Sequence, residues 1–371
     1  LLAEIFPWSV DCAWNGNCRL SGKQKKKERE SRMIKQFKQM FAAGNWAHPA
    51  RDSVKRQLLL LVVLFAAMSI LRPSLFLTSS NLNAMAYQFP EYGLIALGVL
   101  FAMIAGGIDL SLIGIANLTA ILMAKLLISW TKEEMSGIQN AGIFFICFLL
   151  CMAVGAACGM LNGCLISGLK IPAMLATLGS LQLFSGIGMI ITKGKAITGV
   201  PETYVTMGTG KLFGFLPVPL VIYIGAVFVC HYVMSRSTFG MRLKLMGTSQ
   251  KAALFAGQNN KRTTVKAHMA GGMLASFSGF IMLARMNSAR PDFGSSYTMQ
   301  SILIVVLGGV NPAGGFGTVK GVVLATLILQ CFSSGLNMFP AISPYLKQLA
   351  WGLTLLAVMI MNFYSRQRKA E

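Results

Sequence analysis

Ten stretches of this chain are apolar over lengths that approach or reach the thickness of a lipid bilayer. A helix needs about 20 residues to cross a hydrocarbon core of roughly 30 Å. The stretches are residues 57–77, 86–106, 112–130, 142–166, 172–192, 217–234, 266–284, 297–310, 320–338 and 345–363. The eighth is too short for an unassisted span, so we expect it to be tilted, broken or re-entrant. The sequence therefore predicts an all-α polytopic membrane protein with about ten transmembrane helices.

Composition excludes a soluble globular protein. Hydrophobic residues make up 54% of the 371 residues, charged residues only 12%, and the mean hydropathy is +0.61. A soluble protein carries about twice that share of charge. The formal charge of +21 would suggest nucleic acid in a soluble protein, but no aromatic and basic platform or zinc spacing accompanies it. No nucleic-acid partner is expected; the expected surroundings are a lipid bilayer.

Lysine and arginine are distributed unevenly between the loops. If the N-terminus is cytoplasmic, 24 of the 33 lie on cytoplasmic segments, 6 lie in loops on the opposite side and 3 lie at span edges. Because short loops rich in these residues stay in the cytoplasm, both termini are predicted to be cytoplasmic. The number of spans is then even.

The predicted regions are a cytoplasmic basic tail (1–56), a membrane domain (57–363) with a cytoplasmic loop (235–266), and a cytoplasmic C-terminal tail (364–371). The apolar start, Leu1–Val10, precedes a lysine-rich tract, which is the reverse of the order in a signal peptide. The first span is therefore expected to be its own insertion signal. Residues 1–32 are typical of a disordered tail near anionic headgroups, or, since Met33 is a plausible start, of an extension without function.

No pattern for a metal, for catalysis or for ATP binding is found in the sequence. Six of the eight cysteines lie inside apolar segments, the spacing of Cys12 and Cys18 is not a standard zinc spacing, and there are only three histidines. The Gly-x-Gly-Lys at Gly208–Lys211 is followed by leucine, where a P-loop has serine or threonine. We expect no cofactor in this chain; a pump would need a separate protein that binds ATP.

The loop at residues 235–266 has seven basic residues and no acidic residue. Ser249 is placed to cap a short helix over residues 250–256, with Gly257 as its terminator. Such a helix is suited to docking a soluble partner, or to lying on lipid headgroups. The sequence leaves both interpretations open.

Glycine marks three other places. Gly155, Gly159 and Gly163 are spaced by four, which predicts close packing of the fourth span against another helix. Gly106–Ser111 and Gly308–Gly317 interrupt neighbouring spans, and each has Gly-Gly and a branched residue before Asp or Asn. Paired breaks of this kind suggest an internal repeat and, in transporters, lie near the substrate route.

Asp109 is the acidic residue predicted to lie closest to the apolar interior. Burying it unpaired would cost at least about 2.5 to 3.5 kcal/mol. It is therefore expected to cap the next helix, to pair with a base or to reach water. Glu91 is expected at the outer interface. With so few buried carboxylates, the chain offers little for a proton or sodium relay.

Four stretches, in this order and spacing, resemble the permease subunits of bacterial ABC importers for monosaccharides, the ribose type, which include the autoinducer-2 importers. They are Gly106–Ser111, Leu161–Gly179, Thr238–Gly257 and Asn287–Gly321. The resemblance covers roughly residues 57–363. This chain has Ile171–Ala173 where the family often has two prolines, and Asn311–Pro312 is a variable point, so solute specificity is not carried over.

The resemblance implies a type II-like ABC importer permease in the bacterial inner membrane. It implies a second permease copy or a related permease, a periplasmic sugar-binding protein, and two cytoplasmic ATPase subunits that bind ATP and magnesium. The candidate residues for coupling to the ATPase are Gly247, Lys251, Ala252, Ala253, Leu254 and Gly257. The candidates for the translocation pathway or the helix breaks are Gly106, Gly107, Asp109, Ser111, Thr177, Gly179, Gly308, Gly309 and Asn311.

The function expected from this resemblance is alternating-access import of a monosaccharide or a related solute, driven by the separate ATPase. The chain itself is then not an enzyme. An ion-coupled secondary transporter is the alternative, and uptake without an ATPase partner would favour it. A membrane scaffold would move no solute at all.

Overall fold

The computed structural model describes residues 48–131, 137–212 and 214–339, together with 346, 349, 351–354 and 356. Its helices are α1 His48–Leu71, α2 Pro73–Phe76, α3 Ser79–Ile104, α4 Leu112–Trp130, α5 Gly137–Gly168, α6 Ala173–Thr192, α7 Glu202–Thr209, α8 Val218–Arg236, α9 Thr238–Thr248, α10 Gln250–Phe255, α11 Asn260–Met286, α12 Ser295–Leu307 and α13 Val319–Asn337. Its strands are β1 Ile197–Thr198, β2 Lys211–Leu212, β3 Leu216–Pro217 and β4 Ser288–Ala289. The architecture below is that of residues 52–371.

Within the described ranges, eight helices are long and apolar enough to cross a membrane: α1, α3, α4, α5, α6, α8, α11 and α13. The prediction of an all-α polytopic membrane protein is thus confirmed. The eighth apolar stretch forms α12, which is short at 13 residues. The tenth stretch, 345–363, and most of the two predicted tails lie largely outside the described residues.

Three helices form the centre of the molecule. In the most apolar 18-residue stretch of each helix, 89% of the residues are buried in α3 and 72% in α4 and α11. The share is only 6% in α1 and 28% in α5. The mean hydropathy of these stretches is lowest in the well-buried α3, at 1.3, and highest in the largely exposed α5, at 2.5. This relation between hydropathy and burial is expected in a lipid bilayer. Lipid tails are as apolar as the side chains, so the most apolar helices lose no stability by facing lipid at the periphery of the bundle.

The glycine stripe of α5 lies against α11. A Cβ atom added to Gly159 would lie 2.2 Å from the carbonyl oxygen of His268, and one added to Gly155 would lie 2.6 Å from that of Gly272. The approach is mutual, since a Cβ on Gly272 would lie 2.1 Å from the oxygen of Gly155. Only glycine permits backbones this close.

Two short antiparallel ladders lie in the connections that follow α6, α7 and α11. β1 pairs with β4, with Ile197 opposite Ala289, and β2 pairs with β3 in a hairpin. Asn117 of α4 donates from Nδ2 to the carbonyl oxygens of Pro291 (2.9 Å) and Phe293 (2.8 Å). The connection after α11 is thereby tied to the central helices.

Candidate functional site

The two glycine breaks end their helices in the same way. After α3, Gly106 N–H bonds to Met103 O and Gly107 N–H to Ala102 O. After α12, Gly309 N–H bonds to Val306 O and Val310 N–H to Val305 O. Both are Schellman ends, in which a residue with positive φ turns the chain. That residue is Gly106 in one (φ +96°) and Gly309 in the other (φ +79°).

The acidic or amide side chain after each break also makes the same hydrogen bond to the backbone. Asp109 Oδ1 accepts a hydrogen bond from Ser111 N at 2.9 Å, and Asn311 Oδ1 accepts one from Ala313 N at 2.9 Å. Each side chain thus closes a local turn onto the backbone two residues on. The similarity that the sequence shows between the two breaks is therefore a similarity of local structure.

Three segments far apart in the sequence meet where these breaks lie. We call the meeting point the glycine junction and define it by Gly106, Gly247, Gly314 and Gly315. Gly315 N–H donates to Ile104 O at 3.0 Å. A Cβ on Gly247 would lie 1.9 Å from Ile104 O and 2.4 Å from Gly315 N. The junction joins the end of α3, the end of α9 and the α12–α13 connection through direct backbone contact.

Asp109 lies in the connection between α3 and α4, and it is buried in a polar cluster. Its Oδ2 is 2.8 Å from Nδ1 of His268, and its Oδ1 accepts the Ser111 hydroxyl at 2.6 Å. Asn162 Nδ2 donates to the same hydroxyl at 2.6 Å. Burial alone disfavours the charged carboxylate, but the hydrogen bond and attraction of His268 and the bonds from Ser111 together hold the pKa of Asp109 below its usual value. Asp109 therefore both pairs with a base and closes a turn at the helix start.

Thr177 fastens this connection to α6, whereas Gly179 does not take part. The Thr177 hydroxyl accepts from Leu110 N–H at 3.2 Å and donates to Ala173 O at 2.8 Å. Around Gly179, an added Cβ would meet nothing within 4 Å. A cavity of about 500 Å³ lies beside the cluster and is lined by His268, Lys170 and Lys261 among others.

The helix predicted from Ser249 onward is α10. Ser249 accepts from Ala252 N–H at 3.2 Å, and Gly257, with φ +74°, follows the end of the helix. Of the proposed coupling residues, Lys251, Ala252, Leu254 and Gly257 are exposed, whereas Ala253 is fully buried and Gly247 lies in the junction. Phe255, which is 91% exposed, was not among the predicted residues.

At the opposite end of α3 lies a second cavity, of about 420 Å³, between α3 and α13. We call it the polar groove and define it by Asn81, Gln88, Arg285, Gln330, Ser334 and Asn337. Ser334 Oγ donates to Asn81 Oδ1 at 2.7 Å, and Gln330 Nε2 donates to Gln88 Oε1 at 3.2 Å. The Tyr92 hydroxyl donates to Gln330 Oε1. Amide and hydroxyl groups of the two helices are thus connected to each other.

Glu91 lies beneath this groove, well inside α3. Because α3 begins at Ser79 and not at residue 86, Glu91 is about three turns inside the helix. It is fully buried, pairs with Arg285 Nε, and accepts from Arg285 Nη2 at 3.0 Å and from the Tyr297 hydroxyl at 3.1 Å. The ion pair joins α3 to α11.

Sequence reasoning did not find the groove, nor His268 and Asn162 beside Asp109 and Ser111. Asn81 and Gln88 are separated by seven positions, as are Gln330 and Asn337, which is two helical turns. Amides at that spacing on apolar helices are a signal that could have indicated the groove. His268 and Asn162 carry no such signal. Among the residues that the structure describes, no group of three or more His, Cys, Asp or Glu is placed to hold a metal ion.

Comparison with known proteins decides the family. A family model described as the permease component of a branched-chain amino acid transport system matches residues 81–361. The chain belongs to this family. The ribose import permease of Bacillus subtilis strain 168 is 32% identical to this permease over 304 residues, which cover 81% of this chain and 90% of the relative. No solved structure matches the chain.

Two further relatives come from Escherichia coli K12. The L-arabinose transport system permease is 30% identical over 312 residues, covering 84% of this chain and 91% of the relative. The D-allose transport system permease is 26% identical over 307 residues, covering 83% and 91%. The resemblance to permeases of monosaccharide importers is therefore confirmed, and the permease is a multi-pass membrane protein.

Proposed function

We propose that this permease is the membrane subunit of an ABC importer that moves a monosaccharide, or a related polyol-like solute such as autoinducer-2, into the cytoplasm. Relatives named for ribose, arabinose and allose, each matched over most of its length, support the substrate class. The observation that carries the mechanism is the glycine junction. It places the exposed loop at 235–266 in backbone contact with both helix breaks.

The proposed location is the bacterial inner membrane, with both termini in the cytoplasm. The excess of lysine and arginine on one set of loops supports this orientation. The proposed partners are two cytoplasmic ATPase subunits, which bind ATP and magnesium, a periplasmic sugar-binding protein, and a second permease. Exposed apolar side chains on α6, such as Leu175 and Ile190, suit lipid or that second permease.

The proposed mechanism is alternating access driven through α10. Leu254 and Phe255 present an apolar knob that suits a groove on a soluble partner. Gln258 Nε2 donates to Arg242 O at 2.9 Å, and Asn260 Nδ2 donates to Gln250 O at 2.8 Å. These bonds fasten α10 to α9 and α11, so a force on the knob moves α9.

The junction then transmits that movement. Backbones held together at Gly247 have no side chains between them to repack, so α9 cannot shift without moving the end of α3 and the α12–α13 connection. Reorientation of these two segments would expose a polar route first to one side of the membrane and then to the other.

Reconstitution tests the function directly. The permease in proteoliposomes, with its ATPase inside and its binding protein outside, is expected to accumulate a monosaccharide only when ATP is present inside. Uptake driven by a proton or sodium gradient without ATPase would support a secondary transporter. The described carboxylates closest to the centre argue against an ion relay, because Glu91 and Asp109 are each committed to a basic partner.

Replacing Phe255 with serine is expected to lower ATP-driven uptake at least about tenfold while leaving the fold intact. The ring is 91% exposed, so its loss removes contact with a partner and not internal packing. Phe215→Ser is the matched control, because that ring is 69% exposed in the connection between β2 and β3. Uptake rate, ATPase co-purification and the thermal unfolding midpoint should be measured together. Equal uptake in the two variants would contradict the coupling role.

A further inference from the structure

We propose that the polar groove is a binding subsite for a neutral polyhydroxylated solute. The groove lies at the end of α3 opposite the glycine junction, and in the proposed orientation it opens towards the periplasmic side. The identity of the solute as a monosaccharide rests on the proposed function. The chemical class rests on the groove itself.

The first argument is depth. Asn81 to Gln88 on α3 and Asn337 to Gln330 on α13 are two parallel polar stripes, each extending about 10 Å along its helix. Polar groups carried this far into a membrane-spanning bundle are expensive unless they contact water, protein or a ligand. Gln330 and Ser334 are at least nine-tenths buried by protein, yet both line an open cavity. The stripes thus line an open cavity within the bundle.

The second argument is charge. Arg285 is the charged side chain among the groove-lining residues, and Glu91 directly behind it neutralises it. The pair gives the groove no net charge, so neither an anion nor a cation gains by entering. Arg285 directs Nε and Nη2 to Glu91, and a guanidinium has five N–H donors. Arg285 therefore keeps N–H donors for a ligand, while its positive charge is already balanced by Glu91.

The third argument is the type of hydrogen-bonding group. Carboxamides both donate and accept, and hydroxyls do the same. Gln88, Gln330, Asn81 and Ser334 already bond to each other in this way. A polyol offers adjacent hydroxyls with the same dual character and could replace these mutual bonds one for one. The volume of about 420 Å³ lies within the range of small-molecule sites, about 300 to 1,000 Å³.

The experiment measures solute protection of a cysteine placed in the groove. Ala84 lines the groove and is exposed, so Ala84→Cys in the full-length permease, in intact right-side-out vesicles, should react with a membrane-impermeant maleimide. The reaction of the unchanged permease with the same maleimide measures the background from its native cysteines. Ribose or sorbitol at saturation is expected to slow the reaction at least about threefold. Gluconate and glucosamine, which are charged, are expected to slow it much less.

Two controls place the effect in the groove. Phe215→Cys, which is exposed away from the groove, should react at the same rate with and without sugar, and Phe255→Cys should not react in these vesicles. Adding Gln330→Leu to Ala84→Cys should abolish protection, and Gln88→Leu, at a half-buried position, serves if that variant does not fold.

Equal rates with and without ribose or sorbitol would overturn the proposal, as would equal protection by gluconate. Protection of Phe215→Cys would show a non-specific effect and would also overturn it. The assay needs neither the ATPase nor the binding protein. Failure of ATP-driven uptake would therefore not contradict solute binding in the groove. Successful uptake without protection would contradict solute binding in the groove but not the proposed transport function.

Discussion

Gly159→Ala is expected to destabilise the permease strongly, because it forces apart α5 and α11, whose backbones are in direct contact. The added Cβ would lie 2.2 Å from His268 O and 2.9 Å from Met269 Cα. Both are backbone atoms of α11, so no side chain can rotate away. Overpacking of a tight core usually costs about 1 to 3 kcal/mol, and we expect the upper end of that range here. Gly159→Leu should abolish folding.

The matched control lies on the same helix. Gly142 of α5 has no heavy atom within 4 Å of an added Cβ, so Gly142→Ala should leave stability unchanged or raise it by up to about 1 kcal/mol through helix propensity. The measurement is the thermal unfolding midpoint of the purified permease in detergent, with expression level beside it. A midpoint for Gly159→Ala equal to that for Gly142→Ala would show that α5 and α11 are not packed through this glycine.

The sequence predicts well those features that depend on residues close together along the chain, such as span lengths, helix caps and turns. Span lengths follow from the thickness of the bilayer, so eight of the apolar stretches appear as long helices. The cap at Ser249 and the turns at Gly106 and Gly309 are local, and each involves residues within five positions. The helix α3 begins before the apolar stretch at 86–106, because the polar residues between Ser79 and Tyr87 lower the local hydropathy although Thr78 caps a helix there.

What the sequence does not predict is pairing between distant segments. His268 is 159 positions from Asp109, and Arg285 is 194 positions from Glu91. Each partner could have been any base on any facing helix. The same limit applies to α10. A short helix after Ser249 was predictable, but which of Ala253 and Phe255 turns inward depends on how α9 and α11 hold it.

Asp109→Ala is expected to reduce stability by about 3 to 5 kcal/mol, the usual effect of removing one partner from a buried pair. Three bonds disappear together: those from Ser111 N, from the Ser111 hydroxyl and from His268. Asp109→Asn keeps an oxygen for the turn and should cost only about 1 to 2 kcal/mol. The ordering of the two variants separates the turn from the charge, and unfolding midpoints of both measure it.

A double-mutant cycle with His268→Leu isolates the pair itself. If Asp109 and His268 act as a pair, Asp109→Asn with His268→Leu should be less destabilised than the sum of the single variants, by about 1 kcal/mol or more. Additive effects would mean that each side chain stabilises something other than its partner. ATP-driven uptake should be measured in the same set, since retained uptake in Asp109→Asn would exclude a charge-dependent step at this residue.

Acidification offers an independent check on the charge. The pKa of Asp109 is lowered in the folded chain from an ordinary value of 3.8, so its contribution to stability is complete above that value and is lost as the pH falls through the lowered one. Between pH 7 and pH 3, the unfolding midpoint of the unchanged permease should therefore fall further than that of Asp109→Asn. Other carboxylates, Glu91 included, are present in both and cancel, and the same two curves in a His268→Leu background separate the imidazole that contacts Asp109 from the carboxylate. Parallel curves would mean that the carboxylate gains nothing from His268 and Ser111, and that the cluster holds the α3–α4 connection by shape alone.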